Sequence, residues 1–178
     1  VAELATAPYQ IRLATPADAQ LLARHRTAMF RDMGRTTPAI ERPLLDACVR
    51  YFTEALPTGE YVAWVAELAT APYTAIGGAG VQFRPLLPRT DPTGQFLLVG
   101  REGLILNVYV DPPYRRRGIA RRLMNTLIGW APGAGIVRLV LHAAPDGRPL
   151  YDSLGFATTN EMFLPDLGTG PGTPVGTG

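Results

Sequence analysis

The stretch from Leu104 to Trp130 constrains this chain more than any other. Leu104-Ile105-Leu106-Asn107-Val108-Tyr109-Val110 has the apolar density and length of a strand, and Asp111-Pro112-Pro113 ends it. Tyr114-Arg115-Arg116-Arg117-Gly118-Ile119-Ala120-Arg121-Arg122 then opens a helix that runs to Trp130. It carries Ile119, Leu123 and Leu127 on one face, with Ala120, Met124 and Ile128 beside them. The first N–H groups of a helix lack internal partners and sit at the positive end of its dipole, so this junction suits an anion. Gly118 and Ala120 keep the approach to those N–H groups open. Five arginines, Arg115, Arg116, Arg117, Arg121 and Arg122, surround the turn and can fork onto phosphate oxygens. Cations at a helix start oppose the dipole by roughly a few tenths of a kcal/mol each or more. Clustered there without acids, they point to a bound anion, and the junction as a whole suits a pyrophosphate. A solvated arginine cluster is the alternative that this cost weighs against, and a nucleic-acid patch accounts for the arginines but not for the small residues between them.

Composition narrows the remaining classes. A chain of 178 residues suits one domain with a sizeable core. Its net charge of +2 is too small for a protein whose main partner is nucleic acid. All 17 basic residues are Arg, which keeps its charge and binds phosphate bidentately. The single cysteine, Cys48, excludes an internal disulfide and a cysteine-based zinc site, and His25 and His142 lie far apart, so no metal is expected. No apolar run approaches the roughly 20 residues needed to cross a bilayer, and no leader pattern is visible. The expectation is a cytoplasmic protein with no nucleic-acid or membrane partner.

Elsewhere the pattern alternates between strands and helices. Tyr9–Ala14 reads as a strand, and Thr15-Pro16-Ala17-Asp18 as a helix start running to about Met33. Glu41 to about Leu56 reads as a second helix, with Leu44, Leu45, Cys48, Val49 and Phe52 at core spacing. Tyr61–Leu68 and Thr74–Arg84 suggest a hairpin, and Pro85–Glu102 loops with a candidate strand at Gln95–Val99. Ile136–His142 is a further strand, Asp146–Leu154 a short helix, and Phe156–Leu164 a last strand. From Gly168 the chain is Gly, Thr and Pro with one Val, the composition of a disordered tail. The expected organisation is an extension over 1–8, one domain over 9–167 and a tail over 168–178. The nonapeptide VAELATAPY occurs at Val1–Tyr9 and again at Val65–Tyr73 without continuing on either side, so it is not a repeat architecture.

The Arg115-x-x-Gly118-x-Ala120 spacing after a strand resembles the (Gln/Arg)-x-x-Gly-x-(Gly/Ala) motif of the GNAT superfamily of acetyltransferases. Downstream, Leu150-Tyr151-Asp152-Ser153-Leu154-Gly155-Phe156 is similar to that family's Leu-Tyr-x-x-x-Gly-Phe signature. The element order over Tyr9–Leu164 agrees. The resemblance implies a GNAT fold in the α/β (α+β) class: a central mixed, mostly antiparallel sheet with a splayed parallel strand pair and flanking helices. It implies acetyl-CoA as cosubstrate, with no metal. The pantetheine arm would pair with Val108 and Val110 around Tyr109, and the pyrophosphate would meet Arg115, Arg116, Arg117, Gly118, Ile119, Ala120 and Arg121.

The same resemblance implies an N-acetyltransferase that moves an acetyl group to a primary amine by direct attack through a ternary complex. A small-molecule amine is the favoured acceptor, and a homodimer is compatible. Tyr151 takes the role of general acid toward the departing thiolate. Phenol and thiol have pKa values of roughly 10 and 8.5, so that proton passes at little cost. A backbone N–H near Val108 would meet the oxyanion. Many relatives carry Glu on the strand before the pyrophosphate loop, whereas this chain has Asn107, which can position water or the acceptor but cannot take a proton. Glu102, His142 and Glu161 are candidate bases, and none is assigned. Ala143-Ala144-Pro145 also lacks the polar residue, often Asn, that many relatives place ahead of the signature helix. The alternative reading is a sensor that binds acetyl-CoA without turnover.

Overall fold

The computed structural model describes residues 8–71 and 73–159. The chain divides into two compact units, Val1–His142 and Ala143–Gly178.

The first unit is built on a five-stranded sheet. Its strands are β1 (Tyr9–Leu13), β2 (Tyr61–Leu68), β3 (Ala75–Pro85), β6 (Arg101–Val110) and β7 (Ile136–Leu141), in spatial order β1-β2-β3-β6-β7. The first three pairings are antiparallel and β6–β7 is parallel. This is the mixed, mostly antiparallel sheet expected. A two-residue ribbon, β4 (Arg89–Thr90) with β5 (Leu97–Leu98), precedes β6. It is all that forms of the candidate strand at Gln95–Val99. The Asp91 carboxylate gathers the tip of that ribbon, accepting from the N–H groups of Gln95 and Phe96 at 2.9 Å each.

Helices α1 (Ala19–Asp32) and α2 (Pro38–Thr58) cover one face of the sheet, where Leu22, Ala23, Phe52, Ala55, Tyr61, Ala63 and Val65 make one buried cluster. Helix α3 (Ile119–Trp130) covers the other, with Leu123, Met124 and Leu127 buried and Trp130 edge-on to Trp64 at 4.9 Å. Strand alternation divides β2 accordingly: Tyr61, Ala63 and Val65 face α1 and α2, and Trp64 faces α3.

The helix starts follow local chemistry. Asp18 accepts from the Thr15 N–H at 2.7 Å, closing one turn of 3-10 helix over Pro16–Asp18 before α1 begins. Helix α2 starts three residues earlier than Glu41, because Pro38 stands at its first position behind an extended Thr37. That is the same Thr-Pro-Ala signal read at Thr15. Arg12 ties these parts together, pairing with Asp18 at 2.8 Å and with Glu67 of β2 at 2.6 Å.

In the second unit, Pro145–Gly147 is a 3-10 turn and α4 spans Arg148–Asp152, so the helix expected over Asp146–Leu154 is divided and shorter. Left-handed Gly155 (φ 88°) then turns the chain back, and the Phe156 N–H donates to the Tyr151 carbonyl at 3.1 Å. Phe156–Thr159 therefore form no strand. The rest of the strand expected to Leu164, with Glu161 and the expected tail from Gly168, lies outside the described residues.

Candidate functional site

β6 has two neighbours for only half its length. Its parallel register with β7 runs from Arg101↔Ile136 to Ile105↔Leu141 and stops there, while pairing with β3 continues to Val110. Leu106–Val110 thus presents one backbone edge that no described strand covers. The Asp111 N–H donates to Ile76 on β3 at 2.9 Å. By alternation the Val108 and Val110 backbone groups face the open side.

Within that overhang the strand bulges. Gly78 pairs with Tyr109 and Gly80 with Leu106, so Asn107 and Val108 together oppose Ala79. Asn107 adopts φ 61°, a left-handed conformation that Asn tolerates better than most residues. Normal alternation would turn its side chain toward α3. The bulge instead directs it onto α1, where Nδ2 donates to the Leu22 carbonyl at 3.1 Å. Asn107 is 3% exposed, and its Oδ1 is buried with no partner among the described residues. Tyr109 faces the same helix, its ring 5.3 Å from that of His25. Burial pushes His25 down to about 4, Asp111 pulling it back up and Arg24 adding to the fall.

Past Val110 the chain enters the arginine turn. Arg115 Nε donates to the Val110 carbonyl at 2.8 Å and the guanidinium pairs with Asp32 at the end of α1. Arg115 is therefore a staple between strand, turn and helix. Arg116 (φ 63°) and Gly118 (φ 78°) are both left-handed, and such residues fold successive N–H groups into a concavity. A Cβ built on Gly118 would touch nothing within 4 Å, so the glycine leaves open space and meets a backbone need. The first helical bond runs from the Arg122 N–H to the Gly118 carbonyl at 3.0 Å, placing the Ile119 and Ala120 N–H groups ahead of the ladder. Arg116, Arg117, Arg121 and Arg122 are exposed around them, with Arg117 over Tyr114 at 5.7 Å.

An open strand edge leading into such a helix start can hold an extended amide-bearing chain that ends in a pyrophosphate. Residues 26–156 match the acetyltransferase (GNAT) family model. The chain belongs to that family. It is 33% identical to a GCN5-related N-acetyltransferase from Ralstonia eutropha JMP134, with TM-score 0.76, covering 89% of this chain and 98% of that one. A predicted acetyltransferase from Clostridium acetobutylicum, solved with acetyl-CoA, is 29% identical at TM-score 0.73, covering 89% and 96%. Mycothiol acetyltransferase of Gordonia bronchialis is 29% identical over 130 residues, which are 72% of this chain and 42% of that protein. The chain thus spans under half the length of that curated relative.

The expected GNAT site residues fall into two groups. Val108, Tyr109, Val110 and Arg115 to Arg121 come together at the overhang and the turn of the first unit, with Asn107 at the bulge. Tyr151 belongs to the second unit, on α4, its ring 6.1 Å from Phe156, and burial raises its hydroxyl above the ordinary phenol range. Of the candidate bases, Glu102 is 6% exposed and committed to two guanidinium groups, Arg138 and Arg84. His142 follows β7 and is exposed. Sequence reading passed over His25 as one of two distant histidines and did not single out Arg26 or Tyr61. Helical spacing from Ala19 to Leu22 and Ala23 points next to Arg26; His25 lies on the flank of that stripe, and its burial follows from contact with Tyr109 on β6.

Proposed function

We propose that this chain is an acetyl-CoA-dependent N-acetyltransferase whose acceptor is a small-molecule amine. The observation that carries the reading is the half-covered β6, whose free edge leads into the left-handed turn at Gly118. When bound, acetyl-CoA supplies the thioester: the amine nitrogen bonds to the acetyl carbon as the C–S bond breaks, the amine loses a proton and the thiolate gains one. The chain's residues hold and orient. The Val108 carbonyl and the Val110 N–H offer an acceptor and a donor to the amide-bearing arm, in the manner of an added strand. The N–H groups from Arg116 to Ala120 hold the pyrophosphate, and Arg117 and Arg121 neutralise its charge. The Val108 N–H, preset by the bulge, donates to the thioester carbonyl oxygen as negative charge develops. Tyr151, named by its place in the Leu150–Phe156 string, donates the proton to sulfur.

Asn107 does not act as a base in this scheme. Its amide holds the bulge by binding Leu22, which supports Val108 indirectly. Glu102, paired twice, is held near the start of β6. In this scheme no residue is assigned as the base, and the amine proton leaves through water.

Calorimetric titration of acetyl-CoA into wild type, Gly118→Glu and Ala120→Glu tests the cofactor site. Ala120→Glu is the sharper variant, because an acid in the first turn favours the helix while its charge repels the pyrophosphate. Micromolar binding by wild type that both variants lose supports the site; no binding by folded wild type sinks it. Thiol release across an amine panel, with Tyr151→Phe alongside, then tests transfer. The sensor reading has one observation in its favour: no carboxylate stands on Leu106–Val110. It requires binding without thiol release for every amine.

A further inference from the structure

Between α1, α2 and the sheet lies a cavity of about 290 Å³, lined by Arg26, Ala47, Cys48, Tyr51, Phe52, Tyr61, Gln82 and Leu106. Nothing in the cofactor site accounts for it. Leu106 is the residue immediately before the Asn107–Val108 bulge, so the cavity reaches β6 where its open half begins. Its volume is near the low end of ligand pockets, which run from roughly 300 Å³ upward.

The walls are of two kinds. Phe52, Ala47, Cys48 and Leu106 are apolar, and Tyr51, Phe52 and Tyr61 meet one another at ring distances of 5.0 to 6.3 Å. Set among them is one guanidinium. Arg26 is half-buried, lies 5.0 Å over the Phe30 ring, and has no carboxylate partner among the described residues. Burial raises Cys48, Tyr51 and Tyr61, and in each case the Arg26 charge works against that rise, which places it near all three. Arg12, Arg31, Arg115 and Arg138 each have an acid. Arg26 meets the Cys48 side chain, so what it lacks is a countercharge, whereas one polar group of the wall is unmet outright. The Tyr61 hydroxyl is buried with no described partner, pressed so closely on Gly80 that a Cβ there would lie 2.1 Å from it.

We propose that this cavity seats the acyl acceptor, and that the acceptor is an amine carrying a carboxylate on a small apolar or aromatic body, with the carboxylate on Arg26. A guanidinium without an acid in a largely apolar wall is costly unless an anion joins it, and its fork matches one carboxylate. The apolar walls select the body. The acceptor nitrogen then lies toward Leu106 and the bulge, where the transfer already described takes place: N–C forms, C–S breaks, and the amine proton leaves to water. The inference rests on the acetyltransferase reading for its chemistry, but the cavity's preference can be measured without the cofactor.

Matched pairs differing only in the carboxylate make the test: phenylalanine against 2-phenylethylamine, and leucine against isoamylamine, titrated by calorimetry into the protein without acetyl-CoA. The acid of at least one pair should bind at least about tenfold more tightly than its amine, as a charge-assisted pair provides. Arg26→Met should bring that ratio to about one, and Arg26→Lys should retain part of it. Leu106→Trp, which fills the cavity and keeps the charge, should weaken both members of the pair. Equal binding within both pairs, absence of binding by either acid, or a preference that survives Arg26→Met overturns the proposal. Acetyl-CoA titration on the same samples separates this failure from that of the acetyltransferase reading. Lost cofactor binding with an intact acid preference sinks only the latter.

Discussion

From Arg101 to Ile105, β6 has a strand on each edge; from Leu106 to Val110 it has one among the described residues. The covered half is closed in charge as well as in hydrogen bonds, since Glu102 is buried and met by Arg138 and Arg84. The open half carries a bulge, a left-handed Asn107 and a Tyr109 resting on a buried histidine, and it ends in a carbonyl held by Arg115. One strand thus contains a scaffold and a site. The scaffold pairs both of its strand edges and its buried acid, and the site leaves a strand edge for a ligand. That difference predicts opposite responses to mutation: stability falls when the covered half is disturbed, and binding falls when the open half or its turn is.

His25 gives the largest expected effect, and it would sharpen the contrast by showing what supports the open half. Its folded value of about 4 lies below the ordinary 6.5, so the unfolded chain takes up the proton first. Stability is therefore complete above about pH 6.5 and falls as the pH drops toward 4, by at most about 3 kcal/mol. Urea titrations at intervals across that range should show the loss, and His25→Gln should flatten it; a parallel slope in the variant would remove His25 from the account.

Next is the turn. Ala120→Glu should weaken acetyl-CoA binding about 100-fold, or roughly 2.7 kcal/mol, while its thermal midpoint holds. A fall in midpoint with unchanged affinity would break the division between scaffold and site. The mirror experiment is Glu102→Gln, which leaves Arg138 without its charge partner. It should lower stability by about 2 kcal/mol in chemical denaturation and leave acetyl-CoA affinity unchanged. The smallest effect belongs to Asn107→Gly, which keeps the left-handed backbone and deletes the amide. It removes the bond to Leu22 and also an unpartnered oxygen, so about 1 kcal/mol of stability is expected, with thiol release reduced more than cofactor affinity. A larger loss of affinity would mean that the amide touches the ligand.

Much of the covered scaffold was legible in the sequence because it depends on local pattern. The bounds of β2 agree with the apolar run from Tyr61 to Leu68, and α3 ends at Trp130 before Ala131-Pro132-Gly133 as the breaker requires. Gly118 was legible too, since a helix start with small residues among arginines has a local physical meaning. The open half was not legible from residue pattern alone. Apart from Asn107, Leu104–Val110 has one apolar character, and nothing in it marks Ile105 as the last residue paired with β7.

By itself, then, the sequence determined where most strands and helices of the first unit lie, and that residues 115–121 suit an anion. Those depend on residues a few positions apart, whose propensities and spacing act before any distant contact forms. Tertiary structure decided the rest. VAELATAPY occurs twice, yet Tyr9 opens β1 whereas Tyr73, 93% exposed, is left-handed in a turn. Tyr9 has Leu68 as a pairing partner and Tyr73 has none among the described residues. In the same way, Asn107 is turned toward α1 by a register shift against β3, and Arg26 gains its surroundings from residues on α2, β2, β3 and β6. Partners distant in sequence carry the energy in these cases, and a one-dimensional pattern holds no record of which distant residues will meet.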